Sequence, residues 1–262
     1  MIFLLYLLTG VVAGTLSGML GIGGGIIVVP VLIVLLPMAG VPHDIVVHMA
    51  VASALATIVV TSFSAAHKHY HNGNIDLTLL KRILMSVIPG VVVGSIAAHF
   101  IPGRGLEIFV GVVLALVALR LLLSKQTTDA TEPHAINKFM FMGLGFIFAV
   151  IASMVGAGGG IFFVPFLLYC GYQTRMVIGV SSAISWSVGL LSTLIYIAIS
   201  YSAVHVPWAT GYVYWPAVLG IVITSFFFAR VGVKLSQVFP VSILRKMFAA
   251  LLIVVAVKML MG

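Results

Sequence analysis

The sequence predicts an all-α polytopic membrane protein, built as two inverted-topology repeats of about five segments each. Three observations lead to this fold class. Of the 262 residues, 62% are hydrophobic and only 7% are charged, and the mean hydropathy is +1.29, so polar surface is too scarce for a soluble domain. A glycine-rich motif occurs twice along the chain. The basic residues also divide unequally between two sets of loops.

Apolar runs follow one another along the chain, five in each half, and each predicts a helix. Because about 20 apolar residues are needed to cross a bilayer, the second and seventh runs predict half-helices: four spanning helices plus one half-helix per repeat. The first run is longer than the apolar part of a secretory signal and lacks a basic leader, so it predicts the first helix. The runs cover residues 2–20, 26–38, 44–66, 77–100, 106–123, 139–155, 161–172, 176–200, 212–231 and 241–261.

The chain divides near its middle at a sustained polar tract. We predict a first membrane repeat at 1–123, a solvent-exposed linker at 124–138 and a second membrane repeat at 139–262. The correspondence between the halves extends beyond the glycines, since Ala50–Leu55 parallels Gly179–Ile184. An internal repeat of about 130 residues follows.

The distribution of Lys and Arg predicts the orientation. If each glycine cluster turns the chain back, the second half lies upside down relative to the first, the linker is cytoplasmic and both termini are external. If the clusters were only kinks in long spanning helices, the repeat would be parallel, and Lys138 and Arg175 would lie on opposite sides. The first arrangement places eleven basic residues on one side, namely Lys68, Lys81, Arg82, Arg120, Lys125, Lys138, Arg175, Arg230, Lys234, Arg245 and Lys246, against Arg104 and Lys258 on the other.

That bias favours the inverted repeat in the cell inner (cytoplasmic) membrane. It also accounts for the net charge of +8 without a nucleic-acid partner.

The repeated motif is Gly21–Pro30, which recurs as Gly156–Pro165 with seven of ten residues identical. Consecutive glycines are costly inside an apolar helix, so they predict a helix break. Unpaired N–H groups around Gly24 to Ile27 and around Gly159 to Phe162 would then face each other and favour a small anion. Close helix packing is the alternative role for glycine, and we expect it at Gly10, Gly14, Gly18, Gly90 and Gly94.

The doubled motif G-x-G-G-G-x-x-x-x-P, the small-residue helix with Ser or Thr that follows it, and the chain length resemble the sulfite exporter TauE/SafE family, also called the toluene-sulfonate uptake permeases. The resemblance covers essentially the whole chain. It implies a carrier of small sulfur-containing or organic anions, such as sulfite, sulfonates, sulfoacetate or thiosulfate, in the cytoplasmic membrane. The segment Ala52–Leu55 departs from the G-T-S-L-type sequence common in that family, which bears on the substrate more than on the fold.

Hydroxyl and imidazole side chains extend the candidate anion site. Ser53 and Thr57 follow the first half-helix, and Ser181, Ser182 and Ser185 follow the second, where they can donate to the same anion or bond back to their own helix. His48 can donate to an anion or carry a proton, or lie at the interface. The predicted substrate-binding residues are Gly23, Gly24, Gly25, Ile26, Gly158, Gly159, Gly160, Ile161, Ser53, Thr57, Ser181, Ser182 and His48.

No cofactor, metal or catalytic residue is predicted. His67, His69 and His71 are expected in a solvated loop rather than a metal site, and Cys170 is expected to be a buried small hydrophobe. Aromatic residues at one boundary predict an anchoring belt of Tyr201, Trp208, Tyr212, Tyr214 and Trp215.

The acidic residues lie at segment ends or in the linker, so uncoupled or weakly coupled anion export by alternating access is expected. An anion channel, an intramembrane enzyme and a purely structural subunit are the alternatives, and a homodimer is compatible with the sequence.

Overall fold

The structure is a computed structural model that describes residues 2–20, 24–123, 137–202, 204–238 and 241–261. Helices dominate this part of the chain, and the predicted all-α polytopic class is confirmed. In chain order they are α1 (Ile2–Leu20), α2 (Gly25–Met38), α3 (Val46–His71), α4 (Leu77–Phe100), α5 (Gly103–Leu123), α6 (Lys138–Val155), α7 (Gly160–Tyr169), α8 (Thr174–Ser200), α9 (Trp215–Val238) and α10 (Val241–Met261).

Each helix lies on one of the predicted apolar runs, with ends that differ by a few residues. Within the described residues, three helices are long and apolar enough to cross a membrane by length and composition: α3, α4 and α8. The predicted half-helices are short, with 14 residues in α2 and 10 in α7. An antiparallel hairpin between α8 and α9 is an addition to the prediction, with β1 (Ala209–Thr210) paired to β2 (Val213–Tyr214).

Local side-chain caps fix where two of these helices begin. The Asp76 carboxylate accepts hydrogen bonds from the N–H groups of Thr78 at 2.7 Å and Leu79 at 3.1 Å, and starts α4. The Asn137 side chain accepts from Phe139 N at 3.0 Å and starts α6. The last two residues of the predicted linker thus belong to the start of α6, and residues 124–136 lie outside the described part.

The short helices fold back along the helices that precede them. In the second half, the ring of Phe141 lies 5.2 Å from that of Phe166, and Phe148 lies 6.0 Å from Phe163, so α7 runs antiparallel to α6. In the first half, residues of α1 and α2 line a common apolar groove: Leu5, Leu8, Thr9, Val12, Ile27, Val31 and Leu35. The glycine clusters therefore turn the chain back, as the charge distribution predicts.

One end of the bundle, which we call the Asn74 end, gathers the start of α4, the start of α6 and the turn between α7 and α8. A Cβ on Gly179 would contact the carbonyl group of Asn74. The guanidinium carbon of Arg82 lies 5.2 Å from the ring centroid of Phe141. The turns that the distribution of Lys and Arg predicts on one side of the membrane are therefore neighbours.

The opposite end, which we call the Tyr212 end, gathers the turns from α2 to α3 and from α4 to α5 with the hairpin. Nδ1 of His99 lies 3.2 Å from the hydroxyl of Tyr212. A Cβ on Gly103 would lie 2.6 Å from the carbonyl oxygen of Asp44. Helix α10 finishes at this end too, since Arg104 donates to its last carbonyls.

The first helices of the two halves begin at opposite ends of the bundle. Helix α1 starts at the Tyr212 end, where Tyr6 lies 6.3 Å from Tyr214, and it packs along α9. Helix α6 starts at the Asn74 end and packs along α4. Glycines bring these pairs close, since a Cβ on Gly14 would lie 2.6 Å from Ser225 Cα and one on Gly90 would lie 2.6 Å from Phe146 O. The predicted packing role is confirmed for Gly10, Gly14, Gly90 and Gly94, while the surroundings of Gly18 are outside the described part.

Helix α3 lies in the centre, because every residue from 46 to 58 is buried. It crosses α8 where a Cβ on Gly189 would lie 3.1 Å from the carbonyl oxygen of Leu55. Large apolar side chains cover the outside of the bundle, among them Met85 at 68% and Phe100 at 77% exposure. An apolar exterior of this kind matches a bilayer rather than water.

Candidate functional site

The two glycine breaks meet in the centre of the molecule. A Cβ on Gly25, the first residue of α2, would lie 2.6 Å from the carbonyl oxygen of Gly156, and one on Gly156 would lie 2.7 Å from Val29 Cγ2. Gly156 has φ +71° and ends α6 in the left-handed conformation that glycine adopts without strain. The predicted meeting of the two breaks is confirmed at Gly25, while Gly23 lies outside the described residues.

Ile58 of α3 fills the space between the breaks. Its side chain, only 1% exposed, meets the position that a Cβ on Gly25 would occupy. On the other side, its Cγ2 atom would lie 3.4 Å from a Cβ on Gly158 and 3.3 Å from one on Gly189. In this conformation, the space between the two breaks is therefore filled and offers no passage.

The amide groups at the start of α7 are partly engaged. Gly160 N donates to Ser185 Oγ at 2.9 Å, and Phe162 N donates to Gly159 O at 3.1 Å. The N–H groups of Gly159 and Ile161 form no hydrogen bond with any described residue. Within the described part of the chain, two donors at the start of α7 therefore lack a partner.

The start of α2 resembles that of α7. Ile27 N donates to Gly24 O at 3.1 Å, and in the other break Phe162 N donates to Gly159 O at the same distance. The expectation that the unpaired N–H groups extend to Ile27 and Phe162 is wrong, because each closes a tight first turn on the residue before its helix. Ile26 lies within this turn and is 1% exposed.

The predicted hydroxyl groups differ in their hydrogen bonds. Thr57 donates to Ala54 O at 2.7 Å and Ser182 to Ile178 O at 2.8 Å, so both bond back to their own helices. Ser53 Oγ accepts from Tyr214 N at 3.0 Å and holds the hairpin against α3. Ser181 is 2% exposed, and its Oγ forms no hydrogen bond with any residue that the structure describes.

Ser185 is the hydroxyl residue that touches a break, although the sequence favours its neighbours. It follows Ser181 by one helical turn, so both face the same side of α8. The i, i+4 spacing from Ser181 to Ser185 is the signal that could have selected it. Ile58 has no such signal, because an isoleucine in an apolar run is equally compatible with a lipid-facing position.

His48 lies apart from the breaks. It precedes Ile58 by ten residues on α3, or about 15 Å at the rise of an α-helix. Its Nε2 lies 3.0 Å from Ala98 O and 3.1 Å from Ile101 O at the end of α4. Grouping His48 with the glycines in one site is therefore wrong, since a small anion cannot contact both.

Part of the predicted aromatic belt faces inward. Tyr201 and Trp208 are exposed as expected, but Tyr212 and Tyr214 are only 5% and 9% exposed. The Tyr212 ring stacks on that of His48, with centroids 5.2 Å apart. The prediction of a lipid anchor is wrong for these two tyrosines, because the hairpin folds them against α3. Burial raises the pKa of Tyr212 and the Asp44 carboxylate raises it further, so the phenol stays protonated.

The histidine trio lies on a helix rather than a loop, because α3 continues to His71. The His67 and His71 rings lie 4.5 Å apart, one turn apart on α3. In the described ranges, no three His, Cys, Asp or Glu side chains are grouped closely enough to hold a metal ion. Cys170 is buried and free, as predicted.

An apolar helical bundle with two facing helix breaks at its centre defines a polytopic membrane protein of the transporter class. A family model described as "Sulfite exporter TauE/SafE" matches residues 6–259. The chain belongs to this family, and the resemblance noted in the sequence is confirmed.

Relatives support the same class. A "Probable membrane transporter protein" of Haemophilus influenzae is 37% identical over 260 residues, covering 98% of this chain and 97% of the relative. A similarly named protein of Methanocaldococcus jannaschii is 26% identical over 263 residues, covering 98% and 95%. YdhB of Bacillus subtilis, also a "Probable membrane transporter protein", is 23% identical over 249 residues, covering 92% and 94%. No solved structure matches the chain.

These findings make the protein a membrane transporter, which is compatible with the prediction that it is not an enzyme.

Proposed function

We propose that the protein is a secondary transporter of a small anion, namely sulfite or a related sulfur oxyanion or organosulfonate, held between the N-termini of α2 and α7. The observation that carries this proposal is the contact between the two breaks at Gly25 and Gly156. Two helix N-termini directed at one place add their partial positive charges. Glycine lets an oxyanion come close to the backbone.

The donors at the second break favour an anion over a cation. The free N–H groups of Gly159 and Ile161 can bind oxygen atoms of a sulfite or sulfonate group. The Ser185 hydroxyl, which accepts from Gly160 N, can turn its own hydrogen toward the same ligand. The acidic residues of the described ranges, Asp44, Asp76 and Glu107, lie outside this centre at helix ends.

The positions of the two helical hairpins that contain the breaks favour alternating access. The hairpin of α1 and α2 reaches the centre from one end of the bundle, and that of α6 and α7 from the other. With Ile58 between them, the path is closed, so a movement of one hairpin away from Ile58 would open it on one side only. Export needs no partner ion, because a potential that is negative inside supplies roughly 2.3 kcal/mol per charge per 100 mV.

The test is flux of labelled sulfite, thiosulfate, sulfate and sulfoacetate into proteoliposomes under an imposed potential. We expect saturable, voltage-driven flux of at least one of these anions. The Gly25→Ala variant should lower that flux by about tenfold or more, since its Cβ would force the breaks apart. Gly143→Ala is the matched control, because nothing lies within 4 Å of its Cβ position.

No flux of any of these anions in the wild type would refute the proposed substrate class. Equal flux in both glycine variants would remove the breaks from the site. Single-channel currents in place of saturable turnover would identify a channel of the same architecture.

A further inference from the structure

A second polar centre lies at the Tyr212 end, about 15 Å from the breaks by helix rise. It consists of His48 on α3, His99 on α4 and Tyr212 on the hairpin, and we call it the His48 centre. The Tyr212 hydroxyl lies 3.2 Å from His99 Nδ1, while its ring stacks on His48. The transport scheme proposed above makes no use of these residues.

The hydrogen bonds of His48 fix its tautomer. Both partners of Nε2 are carbonyl oxygens, at Ala98 and Ile101, and a carbonyl only accepts. Nε2 therefore carries a hydrogen, and in the neutral ring Nδ1 holds the lone pair. His48 is only 4% exposed, and its Nδ1 has no hydrogen-bond partner among the described residues.

Burial opposes a charge on the His48 ring, and its close contacts offset part of that cost. The carbonyls of Ala98 and Ile101 form the negative end of the α4 dipole, and the Tyr212 face stacks on the imidazole. Two titratable groups lie near the ring: the Asp44 carboxylate, on the turn before α3, stabilises a positive charge there, and a charged His99, on α4, destabilises it. The charged groups of α5 nearest this end, Arg104 and Glu107, pair with each other at 3.0 Å.

We propose that Nδ1 of His48 is a proton-binding site that doubles as a second anion site at the Tyr212 end of the bundle. A proton taken up there leaves an N–H group with positive charge and no protein partner, which a small anion can accept. Proton binding and anion binding are then coupled, because each raises the affinity of the protein for the other. Transport consequently becomes faster as the pH falls. This inference rests on the proposed anion transport, but the protonation itself can be measured without transport.

The direct test is ¹⁵N NMR of the histidine-labelled full chain in lipid nanodiscs, with His48→Gln to assign the signal. Glutamine keeps an N–H donor for the α4 carbonyls but cannot take up a proton. We expect Nδ1 of His48 to change from a bare to a protonated nitrogen as the pH falls from about 7 to about 4, since burial keeps the ring neutral at higher pH. Adding sulfate should move that transition to higher pH. A bare Nδ1 throughout the range, or a transition that ignores sulfate, would overturn the proposal.

The transport test uses sulfate, thiosulfate and methanesulfonate, since their charges stay constant in this range whereas that of sulfite does not. Wild-type flux of a transported anion should rise several-fold as the pH falls from about 7.5 to about 5, and His48→Gln should flatten that rise. His71→Gln is the matched control at the Asn74 end. A pH profile shared by all three proteins would also overturn the proposal.

A failure of the proposed function would give a different set of results from a failure of the His48 proposal. If the wild type carries none of the anions at any pH, the transport proposal fails while the NMR titration still decides whether His48 binds a proton and an anion.

Discussion

Ile58 is the residue on which closure of the centre depends. Its side chain lies against the Cβ positions of Gly25 and Gly158 in the two breaks and of Gly189 where α3 crosses α8. An apolar plug excludes water and anions because neither finds a hydrogen-bond partner there. Its size therefore sets how much room the breaks leave for a ligand.

Ile58→Ala should change selectivity as well as stability. Removing the side chain should raise the flux of sulfoacetate relative to sulfite several-fold, and should lower the free energy of unfolding by about 2 to 5 kcal/mol, as truncations of buried isoleucine do. Ile83→Ala is the matched control, since Ile58 and Ile83 are each 1% exposed.

Competition between the two anions in proteoliposomes, with thermal unfolding of both variants, measures the two effects. The control should lose stability with the flux ratio unchanged. A similar ratio in both variants would show that Ile58 does not limit the site.

At the scale of elements, α8 presents a row of hydroxyls toward the centre. Ser185 bonds to the second break, and the spacings of four and seven residues place Ser181 and Ser192 on the same face. Ser192 is 0% exposed, and its Oγ, like that of Ser181, is unpaired within the described ranges. Buried hydroxyls without partners are costly unless water or a ligand reaches them. We expect this face to line the path on both sides of the break.

Cysteine scanning of α8 tests this expectation in a Cys170→Ala background. Ser181→Cys and Ser192→Cys should react with an anionic methanethiosulfonate during transport, and a transported organosulfonate should slow the reaction several-fold. Ser182 and Ser187 are matched controls, since both hydroxyls bond to their own helix. Faster reaction at the controls than at Ser181 and Ser192 would place the path on another face.

The helices could be predicted from the sequence because each apolar run is bounded by loop residues. The two half-helices could be predicted because each begins at one of the repeated glycine clusters. What could not be predicted is which apolar residues face inward. Ile58 and Ile88 stand in similar runs, yet one is 1% and the other 46% exposed. In a bilayer both faces of a helix are apolar, so periodicity does not separate core from lipid contact.

The inward position of the Tyr212 side chain could not be predicted from the sequence either. Aromatic residues beside an apolar run favour an interfacial belt. The hairpin reverses that role through contacts made far along the chain, such as Tyr214 N with Ser53 Oγ. Tertiary contacts of this kind leave no local pattern in the sequence.

For the whole molecule, the two ends of the bundle differ in charge. Lys68, Lys81, Arg82 and Arg175 belong to the Asn74 end, while the opposite end has Arg104 and Lys258. The positive-inside bias then predicts that the Asn74 end and the linker face the cytoplasm and that both termini are external. Asn72 and Tyr172 belong to different halves but lie in turns at the same end, which a parallel repeat would not allow.

Single cysteines in the Cys170→Ala protein test this orientation in intact cells with a membrane-impermeant maleimide. Tyr201→Cys, at an exposed position beside the hairpin, should label without permeabilisation. Asn72→Cys and Tyr172→Cys should label only after the membrane is opened, and both to a similar extent. Labelling of Asn72→Cys and Tyr172→Cys from opposite sides would reject the inverted repeat. Reversal of all three would keep the repeat and reject the orientation, and with it the outward force that a negative interior exerts on the anion.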